Sequence, residues 1–160
     1  MKSLFKIPVC FGFALLACSI KMPAEAQSGA MPEPPDPSHI PFTLPKDIPW
    51  KEVGPGEFQA KLFGDEKKPG LYGVLIKWMP GHFSHPHSHS QQRYIHVVSG
   101  TWWVSSSSTY DPSKTYPLPA GTFAQDNINA IHWDGAKPET GPAILELVGM
   151  GPVVTTRIKQ

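Results

Sequence analysis

The sequence carries little charge and very little cysteine. Only 17% of its 160 residues are charged, the formal net charge is +1, and the two cysteines are Cys10 and Cys18. Nucleic acids and anionic membrane surfaces recruit proteins through concentrated positive charge, and no run of lysine and arginine supplies it here, so neither is expected as a partner. The 19 prolines and 14 glycines argue against a helical bundle. Histidine, by contrast, is abundant: five of the seven histidines fall between His82 and His96.

The N-terminus lacks an apolar run long enough to cross a bilayer comfortably. After Lys2 and Lys6, residues 7–20 are mostly apolar, and Ala24-Glu25-Ala26 then has the small-x-small form that signal peptidase accepts. This pattern predicts a secretory signal peptide over residues 1–26. We therefore expect a mature protein that is periplasmic or secreted and has no transmembrane span.

Cleavage before Gln27 changes the chemistry of the mature chain. It removes both cysteines, three of the 14 basic residues and one of the 13 acidic residues, so the formal charge becomes −1. A disulfide, a catalytic thiolate and a cysteine metal site are then all excluded. A second cleavage site stays open, because Leu15-Leu16-Ala17-Cys18 resembles a bacterial lipoprotein signal and would leave the protein anchored through Cys18.

The mature chain divides into a proline-rich segment and a domain. Residues 27–50 contain seven prolines, each of which removes a backbone donor, so this stretch is predicted to be an extended strap or linker. Residues 51–160 alternate apolar and polar side chains between turn residues, which predicts an all-β antiparallel barrel or sandwich. The predicted strands are residues 58–63, 71–79, 93–98, 101–105, 122–125, 130–133, 143–149 and 153–158.

The histidines of the domain have a spacing that suits a metal. Side chains two apart on a strand point to the same face, so His87 and His89 can direct both imidazoles at one point. A strand ending in His132 could supply a third neutral nitrogen donor. The alternative is a histidine-rich surface loop that binds metal only adventitiously.

Two motifs at this spacing resemble those of the cupin superfamily over most of residues 50–158. The matching positions are Gly81, His87, His89, Arg93 and Gly100 in the first motif, and Gly121, Asn127, Asn129, His132 and Ala136 in the second. Arg93 stands where the family has a glutamate ligand, and a guanidinium cannot coordinate a metal. Asn127 and Asn129 replace a proline and a glycine, and asparagine tolerates the positive φ that such a turn needs.

Three arrangements of the site remain open. In the first, His87, His89 and His132 hold the ion and Arg93 binds the carboxylate of a substrate. In the second, His85, His87 and Gln92 join His132, and in the third the metal is lost and the histidines bind an organic ligand directly. The first has an electrostatic cost, because Arg93 beside a dication is repulsive unless an anionic ligand or an acid lies between them.

The resemblance also implies what the domain does. It implies a single domain with the double-stranded β-helix (jelly-roll) fold that binds a divalent ion. Imidazole ligands suit zinc, iron, manganese, nickel and copper alike, so the sequence does not identify the metal. The implied function is that of a metal-dependent isomerase, lyase or dioxygenase that acts on a small anionic molecule. The alternative is a non-catalytic module that binds or senses a ligand or a metal. Cupins commonly form homodimers, so a homodimer is a further expectation. His85 and His96 are candidate supports for the metal ligands, although the strand parity of His96 favours the surface.

Overall fold

The computed structural model describes residues 32–159, which belong to two compact units that divide between Pro41 and Phe42. The predicted signal peptide and both cysteines lie outside the described residues. In the first unit, the described residues contain one turn, in which the Ser38 backbone N–H donates to Asp36 Oδ1 at 2.8 Å. Among the described residues, no helix is both long enough and apolar enough to cross a membrane.

The second unit is built almost entirely from antiparallel strands, which confirms the predicted all-β class. The strands are β1 (Lys51–Gly54), β2 (Glu57–Phe63), β3 (Gly70–Trp78), β4 (His82–Phe83), β5 (His87–His89), β6 (Arg93–Ser99), β7 (Thr101–Ser105), β8 (Tyr116–Pro119), β9 (Phe123–Asp126), β10 (Trp133–Ala136), β11 (Ala143–Gly151) and β12 (Thr155–Arg157). Three single turns of 3-10 helix, Pro45–Asp47, Pro112–Lys114 and Pro138–Thr140, complete the described elements.

The strands form three sheets with the order of a jelly roll. A six-stranded sheet has the order β1-β2-β3-β11-β6-β9, a four-stranded sheet has the order β4-β10-β7-β8, and β12 pairs with β5. An isolated antiparallel bridge between His87 and His132 links β5 to the residue that precedes β10. Because neighbours in a sheet are often distant in the chain, the sheets bring separate sequence motifs together.

Alternation along the strands places the core where the sequence predicts it. Tyr72, Val74 and Trp78 on β3 are buried on one face, as are Ile95 and Val97 on β6. Leu145 and Leu147 on β11 face the same interior, and Trp102 and Ala136 come from the four-stranded sheet. The core therefore lies between the two larger sheets, and burying this apolar surface is the main source of stability in a domain of this kind.

The predicted elements differ from the structure in several places. No strand was predicted at Lys51–Gly54 or His82–Phe83, and the last strand is Thr155–Arg157 rather than residues 153–158. The strand predicted at residues 130–133 is wrong: the strand is Trp133–Ala136, and the chain before it turns at Asn129, whose φ is 58°. Tyr116–Pro119 was not predicted to be a strand, because two prolines interrupt its pattern. The prolines are tolerated there because β8 is an edge strand. A 3-10 turn, Pro45–Asp47, interrupts the segment predicted to have no regular structure.

The outer face of the six-stranded sheet exposes apolar rings. Tyr94 and Phe123 stack with ring centroids 6.2 Å apart, and both are exposed, as is Val98 on the same face. Apolar side chains on one sheet face are compatible with a protein interface. The homodimer stays a prediction.

A buried carboxylate joins the two larger sheets. Trp78 Nε1 on β3 and Trp102 Nε1 on β7 both donate to Asp134 Oδ2, at 3.0 and 2.7 Å. The Ser84 hydroxyl donates to Asp134 Oδ1 at 2.8 Å. Because the two indole donors come from strands of different sheets, Asp134 holds the sheets at one relative position.

We predict that Asp134→Ala destabilises the domain by about 2–5 kcal/mol, because two indole N–H groups lose their acceptor in the core. The free energy of unfolding from urea denaturation measures the effect. Glu139→Ala removes an exposed carboxylate and serves as the control, with an expected change within about 0.5 kcal/mol. Equal stability of the two variants would contradict the role of Asp134.

Candidate metal centre

A pair of reciprocal backbone hydrogen bonds brings the two histidine motifs together. The His87 N–H donates to the His132 carbonyl and the His132 N–H donates to the His87 carbonyl, both at 2.9 Å. This bridge places the two side chains directly across from each other. The Asn129 N–H donates to the His89 carbonyl at 2.8 Å, so the turn before His132 is also fixed to β5. Asn129 has a φ of 58°, which is the positive φ that the glycine of the family motif would supply in this turn.

Three imidazoles meet in the interior at this point. One ring nitrogen from each of His87, His89 and His132 lies within 4.8 Å of those of the other two. His87 and His89 are buried, and His132 is partly exposed, with 18% of its side chain accessible. We call these three residues the histidine triad.

The Nδ1 atom of each triad residue has a polar partner. His87 Nδ1 donates to the His85 carbonyl at 2.8 Å, and His132 Nδ1 donates to the Ala130 carbonyl at 3.1 Å, since a carbonyl oxygen can only accept. His89 Nδ1 lies 3.0 Å from the Thr155 hydroxyl, whereas His89 Nε2 is buried without a partner. Ligand histidines characteristically use one nitrogen for such a partner and the other for the metal. The triad therefore fits a divalent ion.

Burial keeps the imidazoles of His87 and His89 neutral at neutral pH. Loss of hydration lowers the pKa of His89 to about 2, and the positive charge of Arg93 acts in the same direction. Burial also lowers the pKa of His87, with a further contribution from His132, and the hydrogen bond to the His85 carbonyl opposes the shift. Neutral imidazole is the form that binds a metal, so these two ligands need not release a proton on binding at neutral pH.

An acidic residue that sequence reasoning missed lies beside the triad. Asp126 Oδ1 is 3.2 Å from His132 Nδ1, and Asp126 Oδ2 is 3.8 Å from His89 Nε2. Arg93 donates to the same Oδ2 through Nε at 2.9 Å and Nη2 at 2.6 Å. Arg93 and Asp126 are direct cross-strand partners on β6 and β9. Strand alternation could have placed Asp126 in the interior, because it lies two residues after Ala124. It was not nominated because the predicted strand ended at Gln125.

The ion pair bears on the predicted role of Arg93. The expected repulsion between a guanidinium and a dication is relieved by a carboxylate that contacts both Arg93 and the triad. Because two nitrogens of Arg93 already donate to Asp126, anion binding by Arg93 stays a prediction.

The other nominated residues lie outside the triad. The exposed ring of His85 stacks on Tyr110, with centroids 4.5 Å apart, and only its carbonyl contacts a triad residue. Gln92 Nε2 donates to the Tyr94 hydroxyl at 2.7 Å. His96 is exposed on the outer face, with Nδ1 3.9 Å from Glu146 Oε2, as its strand parity predicts. The structure therefore brings together the ligand set of the first arrangement rather than that of the second.

The low pKa of His89 predicts a pH-dependent stability for the metal-free protein. Below pH 6.5 this histidine takes up a proton in the unfolded chain but not in the folded one, so unfolding is favoured as the pH falls. We expect His89→Gln to reduce the slope of unfolding free energy against pH by up to about 1.4 kcal/mol per pH unit between pH 6.5 and 5. Urea denaturation after chelation measures the slope. A His89→Gln slope equal to that of the wild type would refute the assignment.

Comparison with solved structures identifies the fold. The polyketide cyclase RemF from Streptomyces resistomycificus superposes with a TM-score of 0.58 at 16% identity, over 74% of this chain and 87% of its own. KdgF from Halomonas sp. superposes with a TM-score of 0.54 at 20% identity, over 69% and 93%. An RmlC-like cupin from Shewanella frigidimarina gives 0.53 at 18% identity, over 69% and 91%.

The likeness lies in the structure. No family model matches the sequence, and no curated protein matches it. The identities to the solved structures are low, so what they share with this chain is the arrangement of strands. With its antiparallel sheets and the strand order of a jelly roll, the chain has the cupin fold.

Proposed function

We propose that this protein binds a divalent metal through His87, His89 and His132 and acts there on a small carboxylate-bearing molecule. The observation that carries the proposal is the arrangement of the triad: each Nδ1 has a partner, and His89 Nε2 is buried with none. A buried polar atom without a partner is costly and calls for an explanation, and a metal supplies one.

The charges around the triad support an anionic ligand. An imidazole that binds a metal does so in its uncharged form, and the two charged side chains beside the triad, Asp126 and Arg93, cancel each other. The positive charge of an ion held here would therefore remain available to a carboxylate. When bound, such an ion supplies Lewis acidity that polarises a carbonyl or carboxylate oxygen.

The residues of the chain would position and shield such a ligand. His132 has the most accessible side chain of the triad, so access to the centre is expected on its side. Close to the triad in sequence, the His85 ring stacks on Tyr110, and Tyr110 also contacts the buried Trp133, with centroids 5.0 Å apart. Structural neighbours described as a polyketide cyclase and as DMSP lyases are consistent with small-molecule chemistry on this fold.

Titration of the metal-free protein with Co²⁺ tests the metal centre. We expect the wild type to bind about one equivalent, with visible absorption from the bound ion, and His87→Ala/His89→Ala to bind none at the same concentration, because two of three donors are lost. His96→Ala, which removes an exposed histidine outside the triad, is the matched control. Full binding by the double variant would sink the proposal.

Oxalate added to the Co²⁺-loaded protein tests the ligand class. Oxalate should change the visible spectrum, whereas its uncharged analogue oxamide should do so only at much higher concentration; equal effects would contradict a preference for anions.

Turnover then separates the two classes of function. If the loaded protein binds carboxylates but converts none of a broad panel, it is a binding or sensing module.

Export is a separate proposal, supported by the N-terminal sequence. We propose that the protein is periplasmic or secreted, and the intact mass of protein purified from its native compartment tests this. A mass corresponding to Gln27–Gln160 is expected from cleavage after Ala26. A lipidated Cys18 would establish the lipoprotein alternative, and an uncleaved chain confined to the cytoplasm would contradict export.

A further inference from the structure

The position of Asp126 suggests how the centre works without the glutamate of the family motif. Its side chain is only 7% exposed, and it contacts three groups that matter to the centre: Arg93 at 2.6 Å, His132 Nδ1 at 3.2 Å and His89 Nε2 at 3.8 Å. A carboxylate removed from water needs charged or hydrogen-bonding partners, and here Arg93, at the missing-glutamate position, supplies both a charge and two hydrogen bonds.

The contact with His132 is of the kind that orients a metal ligand. His132 Nδ1 donates to the Ala130 carbonyl, and the negatively charged Asp126 Oδ1 lies 3.2 Å from the same nitrogen. This fixes the tautomer that leaves Nε2 with its lone pair, and a carboxylate on the opposite nitrogen makes an imidazole a stronger donor. His132 is the ligand most in need of such support, because it precedes β10 and is the most exposed of the three.

The contact with Arg93 has a different effect. Without a counter-charge, a permanent cation on β6 would repel any divalent ion in the triad. Asp126 cancels that charge from the opposing position on β9, where Nε and Nη2 of the guanidinium both donate to its Oδ2. The cross-strand pair thus returns the site to a charge at which three neutral histidines can hold a dication.

We propose that Asp126 is a positioning residue that sets the metal affinity of the triad by orienting His132 and by neutralising Arg93. This inference rests on the proposed metal centre. Asp126 acts through these two residues and is not itself a metal ligand. This assigns to Asp126 the negative charge that the family motif would carry at position 93.

The wild type and three variants distinguish this role from that of a purely structural ion pair. Arg93→Gln breaks the pair but keeps the carboxylate, Asp126→Asn keeps the guanidinium, and Arg93→Gln/Asp126→Asn removes both charges. Asparagine and glutamine preserve the approximate size of the side chains. Thermal unfolding of the metal-free proteins establishes that each variant is folded, and the double variant remains informative if Asp126→Asn fails to fold with an uncompensated guanidinium.

Co²⁺ dissociation constants give the expected order. Arg93→Gln should bind Co²⁺ at least as tightly as the wild type, because a repulsive charge is lost while His132 keeps the carboxylate beside it. The double variant should bind 10–100-fold more weakly than Arg93→Gln, since that is the usual effect of removing a group that supports a ligand histidine. Asp126→Asn should be the weakest, because it combines both losses.

Two results would overturn the role of Asp126. One is equal affinity of the double variant and Arg93→Gln, which would show that the carboxylate does nothing for the metal. The other is equal weakening by Arg93→Gln and Asp126→Asn, which would show that only the ion pair matters. Failure of the wild type to bind Co²⁺ is a different outcome, and it would refute the metal centre itself.

Discussion

The reciprocal hydrogen bonds between His87 and His132 are the constraint on which this site depends. They join two chain segments that are 45 positions apart in the numbering and set two imidazoles opposite each other. The strand that carries His87 has only three residues, so it cannot hold its place alone. Pairing with β12 on one side and the N–H of Asn129 on the other complete its backbone contacts. A buried backbone group without a partner is costly, so these contacts make one register strongly preferred over its neighbours.

Two buried carboxylates connect this local arrangement to the rest of the domain. Asp134 accepts from Trp78 and Trp102 and so relates the six-stranded sheet to the four-stranded one, while Asp126 accepts from Arg93 and faces the triad. Both acids lie close to His132 in sequence, and each finds its donors on other strands. The same acidic chemistry therefore serves stability at one position and the electrostatics of the site at the other.

Much of the fold could be predicted because one face of most strands is buried. The strand Thr101–Ser105 has the predicted bounds, and Tyr72, Val74 and Trp78 share the predicted face. Prediction failed where local pattern and tertiary contacts disagree. Tyr116–Pro119 pairs along one edge only, which its prolines permit, and the strand after His132 begins at Trp133 because the preceding residues form the turn at Asn129.

By itself, the sequence predicted that His87 and His89 share a face and nominated His132 as their partner, while a second ligand set with His85 and Gln92 stayed open. The His-x-His spacing sets the parity of His87 and His89, and the second motif supplies His132. Only the tertiary structure decided what surrounds them. The pair formed by Arg93 and Asp126 joins residues 33 apart through the register of β6 and β9, and no local pattern encodes which side chains meet across two strands. Parity reports the face on which a side chain lies. The partner it meets there is decided by how distant segments pair, because only pairing brings their charges into contact.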